Sequence, residues 1–294
     1  MNKHLSAALF CITACAAVLF TSCSKDDGPV SVTGITLNKT ADTLFAGDTV
    51  RLIATVQPTT ATDQSLTWSS SDTTKAVVNS SGLVTAKALG SAIITVKTND
   101  GNKTDTCTVT VAERPISAAG ALINGVYWAG CNVDAPATFA ATPESAGMFY
   151  QWNRKKGWPS TGSITDWDAS TPSGDTWEAA NDPCPSGWRV PTSDELDALL
   201  ATDKVINVWT TLNSVYGRKF TDKISGNSIF LPAAGYRDYY GDGSLLNAGS
   251  FGDYWSTSPN DSFNAWGLSF LSMDADRSSS SRSYGSSLRC VRAE

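Results

Sequence analysis

The side chains best suited to recognition chemistry cluster late in the chain, in Arg237-Asp238-Tyr239-Tyr240-Gly241-Asp242-Gly243, Gly252-Asp253-Tyr254-Trp255 and Ser258-Pro259-Asn260-Asp261. Tyr239 and Tyr240 offer aromatic faces that can stack on the apolar faces of sugars. Asp242, Asp253, Asn260 and Asp261 offer oxygens that can accept from hydroxyls or coordinate calcium. These six residues form the candidate ligand-binding set. The spacing Asp238-x-x-x-Asp242 does not fit an EF-hand loop, so calcium is an option without a motif and no other cofactor is implied. A second aromatic set, Trp152, Trp158, Trp167 and Trp177, lies amid Gly157, Pro159, Gly162, Pro172 and Gly174. Such rings either plug irregular loops or, if exposed together, form a recognition patch.

Catalysis is poorly provided for. His4 is the only histidine, and it lies in the N-terminal leader described below. Without it there is no Ser-His-Asp triad, Cys-His pair, histidine proton shuttle or histidine-containing zinc site. Carboxylates remain, but Asp166 and Asp168 are too loosely placed to argue glycoside hydrolysis, and an enzyme is not expected. The formal net charge of -6 and the lack of a long lysine and arginine tract exclude a nucleic-acid track.

Two kinds of sequence must position these groups. Of the ten tryptophans, only Trp68 precedes Pro115, so the composition changes near Ala112-Glu113-Arg114-Pro115. Residues 32–112 read as short strands: Val50 to Val56 nearly alternates, Ala76-Val77-Val78 and Leu83-Val84 flank Asn79-Ser80-Ser81-Gly82, and Ile93 to Val96 and Cys107 to Val111 flank Asn99-Asp100-Gly101-Asn102. Beta-branched runs separated by such turns predict a compact β-sandwich. Residues 116–294 carry one clear helix start, with Thr192 as cap and Glu195 as its capping-box partner, before an apolar stripe of Leu196, Leu199 and Leu200. Short strands at Ser228 to Pro232 and Ser287 to Arg292 complete a mixed α and β reading of this half.

The first residues address the chain. Met1-Asn2-Lys3-His4 precedes an apolar run from Leu5 to Phe20, too short for a comfortable span of about 20 residues and suited to a signal peptide. Leu19-Phe20-Thr21-Ser22-Cys23 resembles the lipobox of a bacterial lipoprotein, which implies a signal peptide over 1–22, a lipid on Cys23 and a membrane partner through that anchor. Cys15 would halve the apolar run and is the poorer candidate. Residues 23–31 form an acidic tether, and Ser24-Lys25-Asp26-Asp27 resembles the export tag of Bacteroidetes surface lipoproteins. The implied location is the outer membrane, facing the cell exterior, with the periplasmic face as the alternative.

Val32-Thr33-Gly34-Ile35-Thr36-Leu37-Asn38, Thr67-Trp68-Ser69-Ser70-Ser71-Asp72, Val84-Thr85-Ala86-Lys87-Ala88-Leu89-Gly90 and Ile93-Ile94-Thr95-Val96 resemble a group 2 bacterial immunoglobulin-like domain, a family of spacers and stalks. In that setting Trp68 is a core residue and Cys107 a buried free thiol. The second half resembles the Fibrobacter succinogenes major paralogous domain through Asp182-Pro183-Cys184-Pro185-Ser186-Gly187-Trp188-Arg189-Val190-Pro191-Thr192, Leu231-Pro232-Ala233-Ala234-Gly235-Tyr236-Arg237, Gly252-Asp253-Tyr254-Trp255-Ser256-Thr257 and Tyr284-Gly285-Ser286-Ser287-Leu288-Arg289-Cys290-Val291. That resemblance implies a fold related to C-type lectins and formylglycine-generating enzymes. The expected fold is therefore multidomain: an N-terminal all-β immunoglobulin-like sandwich and a C-terminal mixed α+β, C-type-lectin-like domain.

Residues alone leave three pairings open among Cys131, Cys184 and Cys290; the lectin-like resemblance suggests Cys184 with Cys290, leaving Cys131 reduced. Cys290 lacks the neighbouring cysteine of formylglycine-generating enzymes, and the calcium motifs of lectins are missing. Arg237 and Trp255 lie in family strings, which implies core or salt-bridge roles. The functional expectation is a surface lipoprotein whose head binds a glycan or a surface protein; the alternative is a structural or accessory subunit of a surface assembly such as a pilus.

Overall fold

The computed structural model describes residues 28–293. Cys23, the leader 1–22 and most of the tether lie outside the described residues. Among the described residues no helix is long and apolar enough to cross a membrane.

The first domain is a β-sandwich. One sheet has the order Ala41–Phe45, Thr104–Ala112, Gly90–Thr98, Leu66–Ser70; it is opposed by a sheet of Thr49–Arg51, Leu83–Ala86 and Ala76–Val78, with Gly34–Leu37 and Ala54–Gln57 as a flanking ladder. Ala41–Phe45 runs parallel to Thr104–Ala112, and the other pairs are antiparallel. Alternation decides the faces: along Thr104–Ala112, Cys107, Val109 and Val111 point inward against Leu44, Val84 and Ile94. Cys107 is a fully buried free thiol, and Trp68 packs against both apolar clusters of the domain. The turn before Leu83 needs glycine. Gly82 has φ +78°, and a Cβ there would come within 2.5 Å of the Leu52 carbonyl and 2.9 Å of the Trp68 ring.

The second domain is nearly all-β, which corrects the mixed α+β expectation. Among the described residues its only α-helix is Ser193–Leu200, joined by a three-residue 3-10 turn at Ala179–Asn181. The helix has the capping box read from sequence, and its buried residues include Leu196 and Leu199. Elsewhere glycine, proline and asparagine interrupt the chain before a helical face can repeat. Two three-stranded meanders carry the fold, Val205–Leu212 with Val215–Asp222 and Ser228–Pro232, and Gly252–Pro259 with Asn264–Phe270 and Ala275–Ser281. The helix packs on both meanders over a core that includes Trp128, Phe220, Ile229, Leu231, Leu268 and Phe270.

The last strand closes the domain. Val291–Arg292 lies between Val126–Trp128 and Trp188–Arg189, so the start, middle and end of the domain share one sheet. A disulfide joins Cys184 to Cys290 beside it, with Cα atoms 6.1 Å apart. Cys131 is a buried free thiol. For the enclosed separation of 106 residues, the chain-entropy relation gives about 4–5 kcal/mol of stabilisation.

Three buried arginines organise the loops that lack regular hydrogen bonding. Arg237, Arg282 and Arg289 are each at most 2% exposed, and none forms an ion pair with a carboxylate among the described residues. Arg237 donates to the carbonyls of Pro159, Thr161, Gly162 and Gly243. Arg282 donates to those of Gly174, Asp261 and Asn264 and lies 4.1 Å from the Trp152 ring centroid. Arg289 donates to Ala129, Gly130 and Phe230 carbonyls and to Asn132 Oδ1. The planar fork of five donors lets one side chain satisfy several carbonyls of distant loops, which a lysine cannot reproduce.

The domains are joined by a linker held on both sides. Arg114 pairs with Asp48 and covers the Phe45 ring, while Glu113 pairs with Lys219 of the second domain.

Candidate functional site

The irregular loops of the second domain converge along one strap, residues 282–286. Arg282 holds Gly174 and Asp261, Ser283 donates to the Ser170 carbonyl, and Tyr284 packs against Tyr236 and Tyr239 at ring-centroid distances of 5.1 and 5.0 Å. Trp167 links the loops further: a Cβ at Gly243 or Gly285 would collide with its ring. The loops around 159–175, 238–244 and 260–263 therefore form one continuous end of the domain.

The predicted ligand set is divided at this end. Tyr239 and Tyr240 lie side by side with centroids 3.8 Å apart, and Tyr240 is 69% exposed. The hydrogen bond between the two phenols, helped by burial and nearby charges, pushes the Tyr239 pKa up to about 12. Asp242 shares their loop and is exposed, but its carboxylate accepts from the backbone N–H and hydroxyl of Ser244, which holds its pKa below the usual range. Asp261 is exposed on the other turn and accepts from Asn264 and from the backbone N–H of Phe263, with the same effect. Asn260, also exposed, donates to the Ser279 hydroxyl.

Asp253 is a correction. It is 3% exposed, and its carboxylate accepts from the hydroxyls of Ser269 and Ser286. Burial pushes its pKa up. Gly252 to Ser256 are all buried because Ser286 at the end of the strap and Ser287 after it lie against the strand: the Ser286 hydroxyl donates to the Asp253 carboxylate, Tyr254 bridges Ser287, and the Ser287 N–H donates to the Asp253 carbonyl. Asp253 is thus a buried brace. Calcium gains no ligand set either: among the described residues no cluster of three or more His, Cys, Asp or Glu side chains can hold a metal.

The four tryptophans plug the loops. Trp152 and Trp158 are buried; Trp177 meets Trp152 edge-on at 5.6 Å, and Trp167 meets Trp158 at 5.0 Å. Asp168 is spent in an ion pair with Arg154 and hydrogen bonds from Ser170, so it does not form a catalytic pair with the exposed Asp166.

A polar cleft of about 460 Å³ lies beside these rings and was not picked out from sequence. Its walls are Asn153, Arg154, residues 170–174, Glu178 and Asn181. Asn153, nearly buried in a left-handed conformation with φ 55°, accepts from the Glu178 N–H and the Asn181 amide and points its own amide at the Ser173 carbonyl, thereby fixing both walls. Arg154 fixes the rim through Asp168, Gln151 and Ser170. The residues come from four separate places between Asn153 and Asn181 with no regular spacing, which hid them; the one sequence signal was asparagine, a residue that tolerates positive φ. A larger cavity, about 690 Å³, lies between the domains, with Ile206, Val208 and Phe230 on one side and Lys87, Ala88 and Leu89 on the other. It is mostly apolar and remote from the loop end.

Residues 31–109 match the bacterial Ig-like domain (group 2), and residues 95–292 match the Fibrobacter succinogenes major domain, well over half of the chain. The chain belongs to the Fibrobacter succinogenes major domain family. In this family member the strings that carried the resemblance build the scaffold: Trp255 is buried and donates to the Tyr150 carbonyl, Arg237 and Arg289 cage carbonyls, and Cys184 and Cys290 are bonded. Arg237 therefore takes a core role without the salt bridge. The polar cleft lies outside those strings.

Among curated proteins, the chain is 48% identical over 84 residues to an Ig-like virion protein of Serratia phage KSP90, covering 28% of this chain and 33% of that protein. It is 42% identical over 82 residues to a kappa-carrageenase of Pseudoalteromonas carrageenovora, covering 28% of this chain and 21% of the enzyme. The chain thus spans a third or less of these relatives. Among solved structures, domains 4 and 5 of the S-layer protein SbsC are similar at 24% identity over 29% of this chain and 54% of that one, with a TM-score of 0.25, too low to carry an argument.

Proposed function

We propose that this chain is a non-enzymatic cell-surface lipoprotein, fixed to the outer membrane by a lipid on Cys23, that presents a lectin-like head on an Ig-like spacer for adhesion or for binding a glycan or protein. The observation carrying this reading is where the chain enters and leaves the spacer. Val32 donates to Asp100 at the turn preceding Thr104–Ala112, whereas the second domain follows Ala112 at the far end of that strand. Nine extended residues put the two ends about 30 Å apart. A head is thereby held away from whatever anchors the N-terminus. Relatives of the shared segment support a spacer role, since they include proteins named as a virion protein, a kappa-carrageenase and an alpha-L-arabinofuranosidase of Bifidobacterium longum. One module joined to such different partners fits presentation better than a fixed chemistry.

The lectin-like use of the head rests on its loop end, where a disulfide-closed β scaffold displays Tyr239 and Tyr240 beside a preformed polar cleft. The test has two arms. Labelled palmitate is expected on the wild-type chain and not on Cys23→Ala, with the wild-type chain cleaved by protease added to whole cells. A screen of glycans and surface proteins is then expected to give saturable binding through the second domain. An unlabelled, internally protected chain that binds nothing refutes the proposal.

The alternative, a subunit of a surface assembly such as a pilus, is favoured by one feature. Val205–Leu212 is an eight-residue strand paired on one side only, with Ile206 and Val208 about half exposed. Such an edge can accept a strand from a neighbouring subunit. Filaments from purified chain that are lost on Val208→Lys would select this reading.

A further inference from the structure

We infer that the cleft bounded by Asn153, Arg154, residues 170–174, Glu178 and Asn181 is a binding site for a neutral saccharide of one or two rings. This rests on the reading of the second domain as a recognition head and names its ligand class and place. A volume of about 460 Å³ lies in the lower part of the usual range for small-molecule sites.

The chemistry of the walls selects the ligand. Pro172 is the only apolar side chain lining the cleft, so an alkyl or aromatic ligand would gain little by entering. Arg154 is already committed to Asp168, Ser170 and Gln151, and Glu178 places a carboxylate at the rim, so a phosphate or carboxylate ligand would meet repulsion without a free cation. The groups left over are hydrogen-bonding and mostly uncharged. The hydroxyls of Thr171 and Ser173 have no partner within the chain among the described residues, Asn181 keeps its amide oxygen, and the Glu178 carboxylate receives only a long bond from Thr176. A sugar hydroxyl both donates and accepts, and a row of them matches this mixture of hydroxyl, amide and carboxylate.

The site is also preorganised. Asn153 ties its opposite walls together from below, and Arg282 holds the Gly174 carbonyl from the domain interior. A ligand therefore need not order the loop as it binds, which lowers the entropic cost of recognition.

The test is calorimetric titration of the full chain, in mild detergent, with mannose, glucose, galactose, N-acetylglucosamine and their disaccharides, using sialic acid and glucose 6-phosphate as anionic controls. At least one neutral probe is expected to bind saturably and more tightly than either control. Thr171→Val removes a hydroxyl, and Glu178→Gln replaces a charged carboxylate acceptor with a neutral amide; each is expected to weaken binding about 3- to 10-fold. Ile224→Ala, at an exposed side chain on the turn after Val215–Asp222 and outside the loop end, is expected to leave binding unchanged. Both altered cleft side chains are exposed, so the variants should melt with wild type; Ser173→Ala replaces either one that does not. Neutral-sugar binding intact in the cleft variants but lost in Tyr240→Ala overturns the cleft and leaves the recognition-head reading standing. Preference for the anionic controls overturns the ligand class, as does binding of a surface protein but none of the sugars. If the head binds nothing at all, the reading beneath the proposal falls with it.

Discussion

Replacing Arg237 by methionine tests whether a buried arginine holds the loop end together. The guanidinium makes five hydrogen bonds to four carbonyls, those of Pro159, Thr161, Gly162 and Gly243, and among the described residues no backbone N–H donates to these oxygens. Gly243 is buried, so its carbonyl loses its partner without access to water, at about 1–3 kcal/mol. Pro159, Thr161 and Gly162 lie in exposed chain, and their carbonyls can rehydrate at a smaller cost, about 0.5–1 kcal/mol each. Burial disfavours the charged guanidinium and holds its pKa below the usual arginine value, so its removal returns part of the loss. The net expectation is a destabilisation of about 2–4 kcal/mol. Arg237→Lys should recover little, because three donors on a point charge cannot span four carbonyls. The assay is urea unfolding followed by tryptophan fluorescence, which Trp158 and Trp167 weight toward this end. It is paired with limited trypsin digestion at Lys155 and Lys156, both exposed beside the freed loop. A lower midpoint with faster cleavage is expected. An unfolding free energy within about 0.5 kcal/mol of wild type, with an unchanged digestion rate, would refute the staple, since surface changes fall in that range.

Three further outcomes follow from the same structure. Cys184→Ser/Cys290→Ser should lose up to about 4–5 kcal/mol from the second domain, read as a drop in its melting temperature by calorimetry; a change below about 1 kcal/mol would contradict the chain-entropy argument. Asp253 has its folded pKa raised by burial, so the folded chain retains a proton that the unfolded chain releases. Its contribution to stability is full below the unfolded value of about 4 and is lost as pH rises through the folded pKa; Asp253→Asn should flatten that part of a stability-versus-pH curve, and an unaltered slope counts against it. Gly82→Ala should cost more than about 1 kcal/mol, because it strains a positive φ and crowds the Leu52 carbonyl; hydrogen exchange at the Leu52 amide, which donates to the Gly82 carbonyl, should accelerate, and an unchanged rate would argue against the clash.

What the amino-acid order alone decided was local. Alternation in Cys107 to Val111 set an inward face, the Thr192 and Glu195 pair started a helix, and Gly82 marked a turn, because each depends on neighbours within a few residues. The bond between Cys184 and Cys290 was legible only through family resemblance, since residue spacing left three pairings open. Long-range packing decided the rest. By its sequence Asp253 is a surface ligand, but Ser286 and Ser287 lie against its strand and bury it; the tryptophans of 152–177 could form a patch, but each packs against another. Arg237 and Arg282 select carbonyls from loops far away in sequence, a choice that no local pattern encodes. The polar cleft is the clearest case. Asn153 meets Glu178 and Asn181 across an irregular loop, and only the folded chain, by bringing these scattered hydrogen-bonding groups together, makes a site of them.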